Sequence, residues 1–306
     1  MIVIVCPGQG SQKPGFLEPW LERRGARELL GSLGDACHVD LIAHGTTSDA
    51  DTIRDTAIAQ PLIVAAGILT LAALGAEEGL GGDVGIAGHS VGEFTAAAGA
   101  GVLDATDAVA LVGIRGRAMA EAAAHVATGM SAVVGGDEAE VLAAVSAHGL
   151  VAANYNGGGQ IVVAGELSSL AAFAENSPSG SRVIPLQVAG AFHTSFMESA
   201  VDQLRDAAAS VTTNDPVRTL WTNRDGSVVT QGTAFRDLLV GQVSSPVRWD
   251  KCMSAFEQAG VTGIIELCPA GALVGLAKRG LKGVPTLGIT TPDDLGAARE
   301  LLSTAK

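Results

Sequence analysis

The stretch GIAGHSVGEF, residues 85–94, governs how this chain is read. A short apolar run, Val84–Ala87, leads into Gly88-His89-Ser90-Val91-Gly92, and a helix-forming segment, Glu93–Ala100, follows. The pentapeptide fits G-x-S-x-G in the context that motif requires: strand, sharp turn, helix. Small residues on either side permit the turn. It lifts the serine hydroxyl out of the sheet toward a helix N-terminus, where N–H groups and the helix dipole favour negative charge. A structural turn with a capping hydroxyl is the plain alternative; the context favours a nucleophile.

Working outward, Ile2–Cys6 is a continuous apolar run ending at Pro7-Gly8, which reads as a buried parallel strand. Helical patterns follow near Gly25–Cys37, Pro61–Leu74, Glu93–Ala100 and Thr106–Ala124. The second is placed with Pro61 at its start, because proline suits a first helical turn. Strand and helix alternate, so the fold class is α/β with a parallel sheet covered on both faces. The pattern changes after about Val126. Strand signals at Gly129–Gly135, Val151–Asn154, Gln160–Ala164 and Arg182–Val188 interleave with helical ones at Glu138–Ala147 and Leu167–Glu175. That β-α-β-β-α-β order is the ferredoxin-like unit. Signals of the first kind resume at Ser199–Ala209, Leu220–Thr222 and Gly263–Leu267. The expectation is a large domain over 1–125 and 195–306, with a small ferredoxin-like domain, 126–194, inserted in it.

Composition bounds the function. The chain has 306 residues, 47% apolar, 17% charged and 4% aromatic, which suits tightly packed α/β layers and excludes charge-rich disorder. A formal net charge of −13 argues against nucleic-acid or anionic-membrane binding. Cys6, Cys37, Cys252 and Cys268 share no C-x-x-C spacing, so reduced thiols are expected and neither a disulfide framework nor a metal site is. The opening MIVIVCPGQG lacks the basic segment of a signal peptide. The longest uncharged run, Pro61–Ala76, is short for a bilayer span. A soluble, cytoplasmic protein is expected, with nothing demanding more than a monomer.

A serine nucleophile needs a base, and there are six histidines. His38, His44, His125 and His148 sit among polar or alanine-rich segments suited to surface or packing roles. His89 adjoins Ser90, but successive side chains on a tight turn diverge, so it is placed to brace the turn. His193, in VAGAFHTSF, follows a strand signal and opens a loop before a helix, which makes it the candidate base. No acidic residue stands near it, and a backbone carbonyl can orient an imidazole as an acid does, so a Ser–His dyad is expected. Arg115 is the other anomaly. At 100° per residue it falls among Ala108, Leu111, Met119 and Ala122, while Arg117 falls opposite with Glu121. A buried arginine is costly unless paired, so it is either an internal ion pair or a fork that grips a carboxylate. The loop PGQGSQKPG lacks the Gly-Lys-Ser/Thr ending of a phosphate loop. It supplies flexible backbone at a strand's C-terminal end, where an N–H could complete an oxyanion hole with that of Val91.

Together these segments resemble the malonyl-CoA:acyl-carrier-protein transacylases and the related acyltransferase domains of polyketide synthases. The resemblance spans nearly the whole chain: PGQGSQ at 7–12, GHSVGE at 88–93, RGRAM at 115–119, GAFH at 190–193 and GQVSSPVRW at 241–249. It implies an α/β-hydrolase-like large domain carrying the ferredoxin-like one. It implies that Ser90 attacks the thioester of malonyl-CoA and that His193 acts as general base and acid. The main-chain carbonyl of Gln242 would orient His193, and N–H groups of Gln9 and Val91 would hold the oxyanion. Arg115 would pair with the malonyl carboxylate, and Phe192 would crowd the α-carbon and select malonyl over methylmalonyl. The partners implied are malonyl-CoA and an acyl carrier protein, with no cofactor. The loop NYNGGGQIVVAG departs from relatives that carry a proline-containing segment there, so a pocket role for Asn154 or Asn156 is weakly supported. Carrier proteins are usually acidic, which makes Lys278, Arg279 and Lys282, or Arg248 and Lys251, candidates for docking. The rival readings are a serine hydrolase, which calls for an acid beside His193 and no buried arginine, and an inactive scaffold, which would tolerate loss of Ser90, His193 or Arg115.

Overall fold

A computed structural model describes residues 1–75 and 83–305. Its strands are β1 (Ile2–Cys6), β2 (Val84–Gly88), β3 (Thr128–Gly135), β4 (Val151–Gly157), β5 (Gln160–Glu166), β6 (Ser181–Pro185), β7 (Leu220–Trp221), β8 (Gly263–Glu266) and β9 (Thr286–Gly288). Five of them form an all-parallel sheet in the order β7-β2-β1-β8-β9. The other four form a separate antiparallel sheet in the order β4-β5-β3-β6. The mixed α/β expectation is met.

The continuous apolar run of β1 serves two cores because strand side chains alternate between faces. Ile2, Ile4 and Cys6 pack with Leu62, Ile86, Phe94 and Leu111 on one side of the sheet. Val3 and Val5 pack with Trp221, Trp249, Phe256 and Leu276 on the other. The antiparallel sheet has its own core, including Val133, Val145, Val163 and Phe173. Its β4 also meets the large layer: Tyr155 N–H donates to the Val247 carbonyl at 2.8 Å, and Val247 N–H to that of Ala153 at 2.9 Å.

Two expected boundaries are corrected. The helix expected to start at Pro61 spans Thr56–Leu74, because Asp55 caps it: its carboxylate accepts the Ala57 N–H at 2.8 Å. Pro61 therefore lies inside the helix, where the bond forgone is the one to the Ala57 carbonyl. This helix is 19 residues long with mean hydropathy 2.1, apolar enough to cross a membrane, yet 78% of that stretch is buried inside the protein. The last residue of the uncharged run, Ala76, lies outside the described residues. The strand expected over Arg182–Val188 ends at Pro185, and the chain after it leaves the sheet to bring Leu186, Val188, Phe192 and His193 to a central cavity.

Candidate active site

The register of β1 on β2, from Ile2 opposite Val84 to Cys6 opposite Gly88, ends both strands level. The loop after β1 is thus set against the turn after β2, with His89 N–H on the Cys6 carbonyl at 2.9 Å. There the two glycines of the motif are obligatory. A Cβ on Gly88 would lie 2.1 Å from the Gly92 carbonyl carbon, and one on Gly92 would lie 2.2 Å from the Cys6 oxygen. Ser90 has φ 53, a left-handed conformation that a non-glycine residue holds only when its surroundings impose it. Asn223, just past β7, imposes it: its Oδ1 accepts the Ser90 N–H at 2.7 Å and its Nδ2 donates to the Gly88 carbonyl.

His193 Nε2 lies 2.7 Å from Ser90 Oγ, and Nδ1 lies 2.8 Å from the Gln242 carbonyl. A carbonyl only accepts, so Nδ1 carries the proton and Nε2 is left to accept the serine hydroxyl. Burial first, and the charge of Arg115 second, lower the His193 pKa to about 3, so the ring is neutral near pH 7. His193 also has positive φ, 62°.

Arg115 is buried as its place on the helix Ala105–His125 predicted, whereas Arg117 is exposed. Its Nη1 donates to Gln60 Oε1 at 2.5 Å and its Nη2 to Gln242 Oε1 at 2.9 Å. Nη2 is also 3.5 Å from Ser90 Oγ, so guanidinium and hydroxyl address the same space. Nε has no partner among the described residues. Burial lowers the Arg115 pKa to about 10, partly opposed by the carboxylate of Glu93, and the group stays a cation.

Ser90, His193, Arg115 and Gln60 line a cavity of about 460 Å³, within the usual size of small-molecule sites. Gln9, Val91, Phe192, Asn154 and Asn156 line it too. Neither the Gln9 nor the Val91 N–H is taken by an acceptor among the described residues. His89 is fixed by Asn156, whose Oδ1 is 2.9 Å from Nε2, and by the edge of Trp249. Of the remaining histidines none reaches the cavity; His44 bonds Ser48 and His148 bonds the Ala144 carbonyl. Among the basic candidates, Arg279 lines the cavity, and Lys251, Lys278 and Lys282 are exposed. Arg248 is committed elsewhere, in a two-pronged bond to Asp250 at 2.9 and 2.6 Å while stacked on Tyr155.

Four participants carried no signal strong enough to single them out: Asn223, Gln60, Glu93 and the side chain of Gln242. Only Glu93 left a trace, as the one charged residue of the helix Gly92–Gly99.

Residues 3–292 match the model of the acyl transferase domain family, which makes the chain an acyltransferase. It is 51% identical over 296 residues to the malonyl CoA-acyl carrier protein transacylase of Mycobacterium bovis, covering 96% of this chain and 98% of that one. The crystal structure of MCAT from Mycobacterium tuberculosis superposes with a TM-score of 0.95 at 50% identity, covering 98% and 99% of the two chains. A malonyl-transacylase in complex with a holo type II PKS acyl-carrier protein matches with a TM-score of 0.89 at 28% identity, covering 98% and 99%. This chain belongs to the malonyl CoA-acyl carrier protein transacylase family.

Proposed function

We propose that the protein moves the malonyl group of malonyl-CoA to the phosphopantetheine thiol of an acyl carrier protein, by a ping-pong route through malonyl-Ser90. The observation that carries this reading is the convergence on Ser90 Oγ of a neutral imidazole at 2.7 Å and a buried guanidinium at 3.5 Å. In the first half-reaction Ser90 Oγ attacks the thioester carbonyl while His193 Nε2 takes its proton. The N–H groups of Gln9 and Val91 hold the oxyanion. The C–S bond then breaks and coenzyme A leaves with the proton from Nε2. In the second, Nε2 takes the proton of the carrier thiol, the sulfur attacks the ester, and the proton returns to Ser90 Oγ. An oxyanion donor is worth about 3–4 kcal/mol and a general base about two to four decades of rate. The scheme calls on no metal or cofactor.

Arg115 supplies selectivity. A malonyl carboxylate would meet its unsatisfied donors, whereas an acetyl group leaves the buried cation without that partner. Phe192 crowds the α-carbon, and His89 braces the turn. Holding the carboxylate in a buried pocket also keeps the ester away from water until a thiol arrives, which favours transfer over hydrolysis. Exposed Lys278 and Lys282, with Arg279 at the cavity, suit an acidic carrier. The two sheets support reading an α/β-hydrolase-like domain over 1–125 and 195–306 with an inserted ferredoxin-like domain over 126–194. A cytoplasmic monomer feeding fatty-acid or polyketide synthesis fits this assignment.

Steady-state kinetics with malonyl-CoA and a holo carrier protein test the route. Parallel double-reciprocal lines, with malonyl mass appearing on the carrier, are expected. Intersecting lines, or release of malonate without transfer, would contradict it.

A further inference from the structure

The scheme above leaves Glu93 without a task, yet this residue is 1% exposed, three positions after the nucleophile, and bonded to two parts of the site. Its Oε1 accepts the Asn223 N–H at 2.7 Å, and its Oε2 accepts the side-chain amide of Gln242. The same Gln242 amide presents its oxygen to Arg115 Nη2 at 2.9 Å, and its Nε2 also reaches the Ser90 carbonyl at 3.1 Å. A guanidinium offers only donors and an ionised carboxylate only acceptors. An amide between them satisfies both in a single orientation, NH₂ toward Glu93 and oxygen toward Arg115. Among the described residues Arg115 is in no ion pair, so Gln242 is the bridge between two buried opposite charges.

We propose that Glu93 is a positioning residue for acyl selectivity: it fixes the Gln242 amide, which in turn aims the Arg115 guanidinium at the acyl carboxylate. The inference rests on the assignment of Arg115 as the clamp for that carboxylate.

Glu93→Gln keeps the size of the side chain but makes one of its two acceptors a donor. The Asn223 N–H is backbone and cannot turn away, so the new amide gives its oxygen there and its NH₂ to Gln242. Gln242 must then rotate and set its own NH₂ against Arg115. The measurement is kcat/KM for acylation by malonyl-CoA and by acetyl-CoA. In Glu93→Gln the malonyl-over-acetyl ratio should fall roughly 10- to 100-fold, the scale of a lost hydrogen bond to a charged group. Glu93→Asp, still acceptor-only, should recover part of the ratio. Gln242→Leu removes the bridge while leaving the main-chain carbonyl, and should lower the ratio by as much. Combining it with Glu93→Gln should add nothing.

An unchanged ratio in Glu93→Gln, equal losses on both substrates, or additive losses in the pair would overturn the proposal. If Glu93→Gln does not fold, a retained ratio in Gln242→Leu does so alone. Should wild type show no malonyl preference, or Arg115→Ala preserve it, the clamp assignment is what fails.

Discussion

Arg115 stands where an arginine is most costly, and its neighbours show how the cost is met: two amide oxygens, a carboxylate beyond one of them, and the face of Phe94 6.0 Å away. Because the fork geometry matters as much as the charge, Arg115→Lys should fare little better than Arg115→Ala. Both should lower kcat/KM for malonyl-CoA by roughly 10²- to 10³-fold, as truncation of a buried charge pair does. A lysine variant with near wild-type kinetics would show that charge alone suffices. The pH profile separates two other residues. With its pKa lowered to about 3, His193 is already neutral at pH 5 and contributes no limb between pH 5 and 8. Glu93 does fall in that range: burial raises it to about 7, against its bonds to Asn223 and Gln242 and the charge of Arg115, while burial and that carboxylate together raise the Cys252 thiol. Ionised Glu93 is the acceptor that Gln242 needs, so kcat/KM for malonyl-CoA should rise with pH through about 7. That rise should vanish in Glu93→Gln; a limb that persists there belongs to another group. The sign for stability is opposite. A carboxyl whose folded pKa is raised favours the fold fully below its unfolded value of about 4.5, and that contribution is lost as pH rises through about 7.

At the scale of elements, the turn at 88–92 is where sequence and geometry agree most closely. Gly88→Ala or Gly92→Ala drives a methyl into backbone that cannot yield. Each should cost more than the usual 1–3 kcal/mol of overpacking, read as a large fall in Tm with loss of acylation. Little change in Tm would mean that the elbow is looser than the 2.1 and 2.2 Å approaches require. The elbow was legible because its demands are local: apolar strand, small flanks, helix formers. Arg115 was legible because one helix period places it among alanine, leucine and methionine. Pro61 misled because a favoured first-turn residue also stands inside a helix when Asp55 caps it upstream. Asn223 and Gln242 were illegible as a latch and a bridge, since they meet Ser90 and Glu93 across 133 and 149 positions of chain. No periodicity within either segment encodes such a partner. The carbonyl of Gln242 was reached only through the family resemblance.

Across the whole molecule, the segments that follow β1, β2 and β8 and the antiparallel sheet line the cavity, and β4 is tied to Val247, a few residues after the Gln242 whose carbonyl holds His193. The chain carries a net charge of −13, so the proposed docking of an acidic carrier calls for a local basic patch. Lys278→Glu combined with Lys282→Glu, both exposed and outside the cavity lining, should raise KM for the carrier several-fold, with a flatter salt dependence and little change in acylation by malonyl-CoA. An unmoved KM would remove that patch from the docking face. A malonyl ester on Ser90, selected by Arg115, would be visible to intact-protein mass spectrometry after brief mixing with malonyl-CoA or acetyl-CoA. A malonyl-sized gain is expected in wild type, none in Ser90→Ala, and none with acetyl-CoA. Release of coenzyme A without any adduct, or an adduct that survives in Ser90→Ala, would contradict the malonyl-Ser90 route.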